Sequence, residues 1–434
     1  MLHEEKTMTS TTETLSNPHD ATSVRLGLAQ QLAETLLSER GEASGAFVAR
    51  ELHGVMAALD AADRHGFQRY LAAGFQPDAT ALRTAAERYL AEATAETAAA
   101  VAQAADPPRQ ELLRRMNMAP GGTAALIAMR SEIAARLRDE PVLKLLDGDL
   151  KHLFSSWFNR GFLELRRIDW QSPAAVLEKL IAYEAVHEIK GWDDLRRRLA
   201  PDRRCFAFFH PALPDEPLIF VEVALVEGLA TSMPPLLAQD VDEAVARAQA
   251  ARADTAIFYS ISNCQEGLRG VSFGNFLIKQ VVEELKAEFP QLKRFSTLSP
   301  IPGFRRWLTG QLAEAGTSTA AVASALAQDG WWNDARQSEA LRPVLMRLCA
   351  TYLTRPASAG NRIDPVARFH LGNGARLERI NWLGNTTKRG IAESFGVMVN
   401  YLYDRDSIEA NHEVYARDGT IVRSPDVEAL LQTH

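Results

Sequence analysis

Between residues 256 and 298 the chain contains two short apolar runs, 256–262 and 295–298, joined by a glycine-rich loop and an amphipathic segment. A hairpin cannot join strands across so long an insertion; a helical crossover can, and it sets the two strands parallel within one sheet. The segment from about Gly274 to Phe289 is the crossover helix, because Phe273, Leu277, Val281 and Leu285 fall on one stripe while Lys279, Glu283, Glu284 and Lys286 fall mostly elsewhere. Four further runs, 205–210, 218–226, 376–382 and 396–403, are rich in β-branched or aromatic residues and read as strands. A helical stretch from about Gly310 to Thr354 separates the two groups. The expected product is a mixed α/β domain.

The preceding third of the chain has a different period. Val24, Leu28, Leu32 and Leu36 recur at four-residue spacing, and Leu52, Met56 and Leu59 continue the helical pattern. Punctuation at Gly41, residues 74–78, Asp106-Pro107-Pro108, Pro120-Gly121-Gly122 and Pro141 divides this region into five or six helices. The predicted fold class is therefore α+β: an all-helical N-terminal bundle over 23–154, then a mixed α/β domain over 155–434. Two domains suit a chain of 434 residues. Residues 1–22 are polar, carry almost no apolar side chains and are expected to be disordered. The stretch 79–105 is so rich in alanine that it buries only small side chains. It reads either as an ordinary bundle member or as a surface that packs on another subunit.

Composition excludes several classes. With 48 basic and 55 acidic residues the net charge is −7, which gives no general support for nucleic-acid binding. Cys205, Cys264 and Cys349 are widely spaced, forming neither a disulfide framework nor a zinc site, and no metal is expected. No apolar run is long enough to span a membrane. The polar start lacks the marks of a signal or transit peptide, so a reducing cytoplasm is the expected location.

The loop from Ser260 to Lys279 carries the most chemistry. Gly270-Val271-Ser272-Phe273-Gly274 fits G-x-S-x-G, but a nucleophile elbow needs its serine directly after a strand, and about nine residues intervene. A Walker lysine-serine pair and a dinucleotide fingerprint are both absent. The block Gln265-Glu266-Gly267-Leu268-Arg269-Gly270 followed by a helix resembles the pyrophosphate loop of GNAT-type acyl-CoA transferases. There, glycines let backbone N–H groups approach phosphate and a helix N-terminus adds positive charge. As a bare feature the same loop is also an ordinary strand-to-helix turn.

Three later blocks extend the pattern: residues 295–304 (FSTLSPIPGF), residues 365–375 (PVARFHLGNGA) and residues 379–403 (RINWLGNTTKRGIAESFGVMVNYLY). With the loop, and in this order, they resemble the malonyl-CoA decarboxylase family, from the helical half to the C-terminus. The resemblance implies a GNAT-like catalytic domain behind a helical oligomerisation domain, a dimer or tetramer through that domain, malonyl-CoA as substrate and acetyl-CoA as product, and no cofactor. It places the substrate loop at Glu266, Gly267, Leu268, Arg269, Gly270, Val271 and Ser272, the catalytic serine at Ser296 and the catalytic histidine at His370, with the last two also contacting substrate. Glu266 stands where the family often has glutamine, adding a negative charge beside phosphates.

The chemistry suits such a site. Loss of carbon dioxide leaves an electron pair that the thioester itself accepts as an enolate, so the protein needs only to orient the carboxylate, stabilise the oxyanion and protonate carbon. Ser296 is expected to hold the departing carboxylate and His370 to donate the proton. Ser299 is close enough to Ser296 to be mistaken for it. Tyr401 and Tyr403 lie near the expected site or in the core. Arg196, Arg197, Arg198, Arg203 and Arg204 form a basic patch that reads as a contact for the coenzyme 3′-phosphate or as a solvated face. The rival functions are acyl-CoA N-acyltransfer, for which no amine site is visible, and non-catalytic acyl-CoA sensing.

Overall fold

The computed structural model describes residues 18–184, 186–239, 241–271, 277–314, 320–355 and 364–432. It divides into two compact units, one of residues 1–158 with Gln265–Val271 and the other of Asn159–Cys264 with Ser272–His434.

The first unit holds eight helices among the described residues: Pro18–Leu37, Glu39–Ala57, Ala61–Gly74, Ala79–Ala91, Ala95–Ala105, Pro108–Met116, Gly122–Ala134 and Leu143–Trp157. This exceeds the expected five or six because two boundaries, at Asp60 and Thr94, are made by capping side chains instead of Gly or Pro, as is the expected one at Asp78. Asp60 accepts from the Asp63 N–H, Asp78 from those of Thr80 and Ala81, and Thr94 forms a reciprocal box with Thr97. Residues 18–22, expected to be disordered, are helical. Pro18 takes the first helical position, where a missing N–H costs nothing. The alanine-rich stretch forms two helices, of which the first buries only Ala85 and the second buries nothing.

The second unit is built on one seven-stranded sheet: β1 Glu164–Ile168, β2 Arg203–Phe209, β3 Ile219–Val226, β4 Thr255–Asn263, β5 Arg294–Thr297, β6 Arg376–Asn381 and β7 Met398–Tyr403, in the order β1-β2-β3-β4-β5-β7-β6. Every pair is antiparallel except β4 and β5, the pair that the crossover helix Leu277–Glu288 requires to be parallel. β1 escaped the sequence reading because four of its five residues, including two arginines and a glutamate, are not buried, as befits a charged edge strand.

Two features of this sheet position the site. β4 pairs with β5 only from Thr255 to Phe258, and its remaining residues run on past that partner. A register shift between Glu222 and Val223 lies opposite the same point. The sheet opens there, as expected of a GNAT-like fold. Its faces are packed by apolar clusters, one joining Leu177, Leu180 and Leu195 to Phe209 and Phe220, another joining Met233 and Leu236 to Tyr259, Leu298 and Met398.

Candidate active site

His370 lies in the last turn of the helix Pro365–Gly372 and is 3% exposed. The sequence around it dictates that placement. Asp364 caps the helix by accepting from the N–H groups of Val366 and Ala367, and its other carboxylate oxygen accepts from Gly303 N–H at 3.1 Å and Tyr352 O–H at 3.2 Å. One buried carboxylate thus ties the histidine helix to the Pro300–Gly303 turn that follows β5. Beyond His370, Gly374 turns the chain at φ 82°, and a Cβ there would meet the Ile408 carbonyl oxygen at 2.0 Å.

The imidazole is held on three sides by uncharged groups. Nε2 lies 3.1 Å from Ser299 Oγ, Nδ1 lies 2.7 Å from the Tyr403 hydroxyl, and the ring stacks on Tyr401 with centroids 4.7 Å apart. Burial alone pushes the His370 pKa down, to about 3, so the ring is neutral. Ser299 O–H donates to Thr297 Oγ1 at 2.8 Å, which also accepts from Tyr401 N–H at 3.1 Å.

Ser296 is not part of this contact. It is fully buried, and its hydroxyl donates to the Tyr401 carbonyl at 3.0 Å. Side chains alternate along a strand, so residues 296 and 299 leave β5 and its extension on opposite faces. Ser299, bridged to Val399, faces the side carrying Tyr401 and Tyr403. The parity of 297, 299, 399, 401 and 403 was the available signal for the serine that meets His370; the motif alone does not distinguish the two.

The substrate loop is described in the first unit. Glu266–Leu268 forms a single 3-10 turn, with Gly267, Leu268 and Val271 buried and Glu266, Arg269 and Gly270 exposed. Gly267 is required by close approach: a Cβ would stand 2.0 Å from the Ile127 carbonyl oxygen. Arg130, buried and paired with Asp147 at 2.8 Å, donates to the carbonyls of Gly267 and Arg269 at 2.7 and 3.1 Å. Among the described residues the N–H groups of Leu268, Arg269 and Val271 close turns inside the loop, and those of Glu266, Gly267 and Gly270 are the candidates to meet a phosphate. The Glu266 carboxylate is partnered by Arg269 at 3.4 Å, an exposed pair of small energetic weight. Ser272 lies outside the described residues.

Four of the five arginines of the basic patch are paired with carboxylates, and Arg196 is exposed. Arg197 and Arg203 converge on the buried Asp202 at 2.6 Å each, and Arg198 pairs with Glu222 at 2.7 Å. Arg204 pairs with Glu288, and Arg196 stands over Trp170 beside a cleft of about 590 Å³. An arginine run was misleading because a buried carboxylate on a neighbouring element is invisible in local sequence. Among the described residues no cluster of metal-ligating side chains occurs and no helix is long and apolar enough to cross a membrane.

Comparison with known proteins agrees with this architecture. Residues 161–434 match the malonyl-CoA decarboxylase C-terminal domain, and residues 75–158 match the N-terminal domain of the same family. The chain is 42% identical over 336 residues to the mitochondrial malonyl-CoA decarboxylase of the goose Anser anser anser, covering 71% of this chain and 66% of that protein. Its identity to the mouse mitochondrial enzyme is 36% over 359 residues, 75% of this chain and 71% of that protein. The crystal structure of malonyl-CoA decarboxylase from Rhodopseudomonas palustris matches with a TM-score of 0.86 and 50% identity, covering 93% of this chain and 99% of that one. The Agrobacterium vitis structure matches with the same TM-score at 47% identity, covering 93% and 100%. With both domain matches adjoining and together spanning most of its length, the chain belongs to the malonyl-CoA decarboxylase family of carboxy-lyases.

Proposed function

We propose that the chain converts malonyl-CoA to acetyl-CoA and carbon dioxide through a thioester enolate that His370 protonates. The observation that carries this reading is the buried imidazole held between Ser299 and Tyr403, with no carboxylate partner among the described residues. Burial keeps the ring neutral, and an anionic substrate beside it favours uptake of the proton that it delivers. Ser299 is the hydroxyl that orients Nε2. Ser296, the serine that family resemblance designates, braces the Tyr401 backbone beneath the ring and reaches the chemistry through that strand. The stretch of β4 beyond Phe258, which has no β5 partner, offers backbone N–H groups as the oxyanion donors. The loop that begins at Glu266, with Glu266, Arg269 and Gly270 exposed, takes the coenzyme phosphates.

The helical unit serves assembly into a homo-oligomer, a dimer or tetramer. In its alanine-rich pair of helices Leu90 is 83% exposed, and the Ala95–Ala105 helix buries nothing within the unit. The three buried, unpaired thiols suit a reducing compartment such as the cytoplasm, although the goose and mouse relatives are named as mitochondrial.

Purified protein incubated with malonyl-CoA and no amine should release carbon dioxide and acetyl-CoA in equal amounts. Silence at saturating substrate, or turnover only when an amine acceptor is added, would sink the reading.

A further inference from the structure

We infer that Tyr403 is a positioning residue whose phenol fixes His370 as the Nε2–H tautomer at rest and then reverses its hydrogen bond to hold the protonated ring during turnover. This rests on His370 being the proton donor proposed above. The tautomer follows from counting hydrogens along one chain of contacts. Ser299 has a single hydroxyl hydrogen, and it is directed to Thr297 Oγ1 at 2.8 Å. Towards His370, at 3.1 Å, Ser299 Oγ can therefore only accept, so Nε2 carries the ring hydrogen. A neutral imidazole has one N–H, which leaves Nδ1 as a lone pair. The Tyr403 oxygen at 2.7 Å must then donate to it.

A phenol can also serve the other charge state. Once the ring is protonated, Nδ1–H donates and the same oxygen accepts without moving. A carboxylate in that place would only accept and would keep the ring charged at rest. No charged side chain among the described residues perturbs His370. The groups packed on it are Tyr401, Tyr403, Ser299 and the ring of Phe369, with Phe258 behind Tyr403 and Asp364 at the far end of the same helix. What favours the charged ring is its place in the last helical turn, where the carbonyl ends attract positive charge, together with the carboxylate and enolate of the substrate.

The proton balance closes. As malonyl-CoA binds, the ring takes one proton from solvent at Nδ1 while the Tyr403 hydroxyl hydrogen turns away, and the C–C bond to the carboxylate then breaks. The electron pair left on the α-carbon takes the Nε2 proton, and the N–H bonding electrons stay on Nε2. The ring is then neutral with its hydrogen on Nδ1, held by the Tyr403 oxygen; uptake of a proton at Nε2 and release of the one on Nδ1 restore the resting Nε2–H tautomer. One proton is consumed for each carbon dioxide released.

Two measurements test this. In free wild-type enzyme labelled with 15N-histidine, and with His370→Asn used to assign the signal, the proton should be on Nε2. Finding it on Nδ1 overturns the assignment without reference to turnover. Tyr403→Phe removes one oxygen atom. It should lower kcat tenfold to a hundredfold with KM within about twofold, and move the alkaline limb of the kcat profile to lower pH by about one unit, because the charged ring loses its acceptor. A Phe variant with the wild-type pH profile would overturn the role. If His370→Asn itself keeps full turnover, the proposed function fails, while the tautomer result stands or falls separately.

Discussion

Two of the buried polar clusters among the described residues of the second unit solve the problem of burial in opposite ways. Around Asp202 the groups are charged and matched: Arg197 forms a two-pronged pair with its carboxylate at 2.6 and 2.9 Å, Arg203 adds a third contact, and Arg198 engages Glu222 nearby. Around His370 everything is an uncharged hydroxyl or ring. A buried ion pair fixes each partner's protonation state and resists change, because either charge alone would be stranded in a poor solvent. Hydroxyl partners donate or accept as required and leave the charge of the ring to be decided by what binds. The first arrangement holds a shape; the second is suited to moving a proton.

That contrast can be broken most sharply by removing the centre of each cluster. His370→Asn should cut kcat by roughly 10²- to 10⁴-fold, the range for loss of a general acid, while leaving KM and the urea midpoint near wild type. Asp202→Ala strands two buried guanidinium groups and should cost about 3–5 kcal/mol in urea unfolding, with kcat per folded molecule little changed. If the histidine variant loses its fold and the aspartate variant loses only its turnover, the division is wrong.

A smaller effect separates the two serines. Ser299→Ala removes the acceptor of the Nε2 hydrogen and should lower kcat about tenfold to a hundredfold, whereas Ser296→Ala, which frees the Tyr401 carbonyl, should cost less than about tenfold. The reverse order would return the direct role to Ser296. The smallest expected effect is on acid stability. His370, held near 3 when folded against a model value of 6.5, binds no proton in the native state where the unfolded chain does. Its contribution to stability is complete above about pH 6.5 and is lost as pH falls below it, by at most about 1.4 kcal/mol per pH unit. Urea titrations of His370→Asn should show a shallower decline between pH 6 and 4 than wild type; equal slopes would mean the ring is not buried neutral.

Much of this was readable before any coordinates. The parallel crossover over 256–298 forced a sheet, the four-residue spacing over 23–153 forced helices, and six of seven strands were recognised from apolar runs, because period and burial are properties of local sequence. The edge strand Glu164–Ile168 was missed because an exposed charged strand has no apolar signature. Side-chain caps hid two helix boundaries for the same reason, since Asp60 and Thr94 look like any surface polar residue until their N–H partners are placed.

The sequence by itself determined the class of the fold and the family, and it put His370 forward as the histidine of the proposed chemistry. Which hydroxyl meets that histidine was decided only in three dimensions. Ser299, Tyr403 and Thr297 come from β5, its extension and β7, which are about a hundred residues apart in the chain but neighbours in the sheet. The arginine run made the same point in the other direction, its local charge cancelled by carboxylates such as Glu222 and Glu288 brought in by other elements. Contacts between distant segments set a proton's position and a charge's partner, and no local pattern in the chain encodes them.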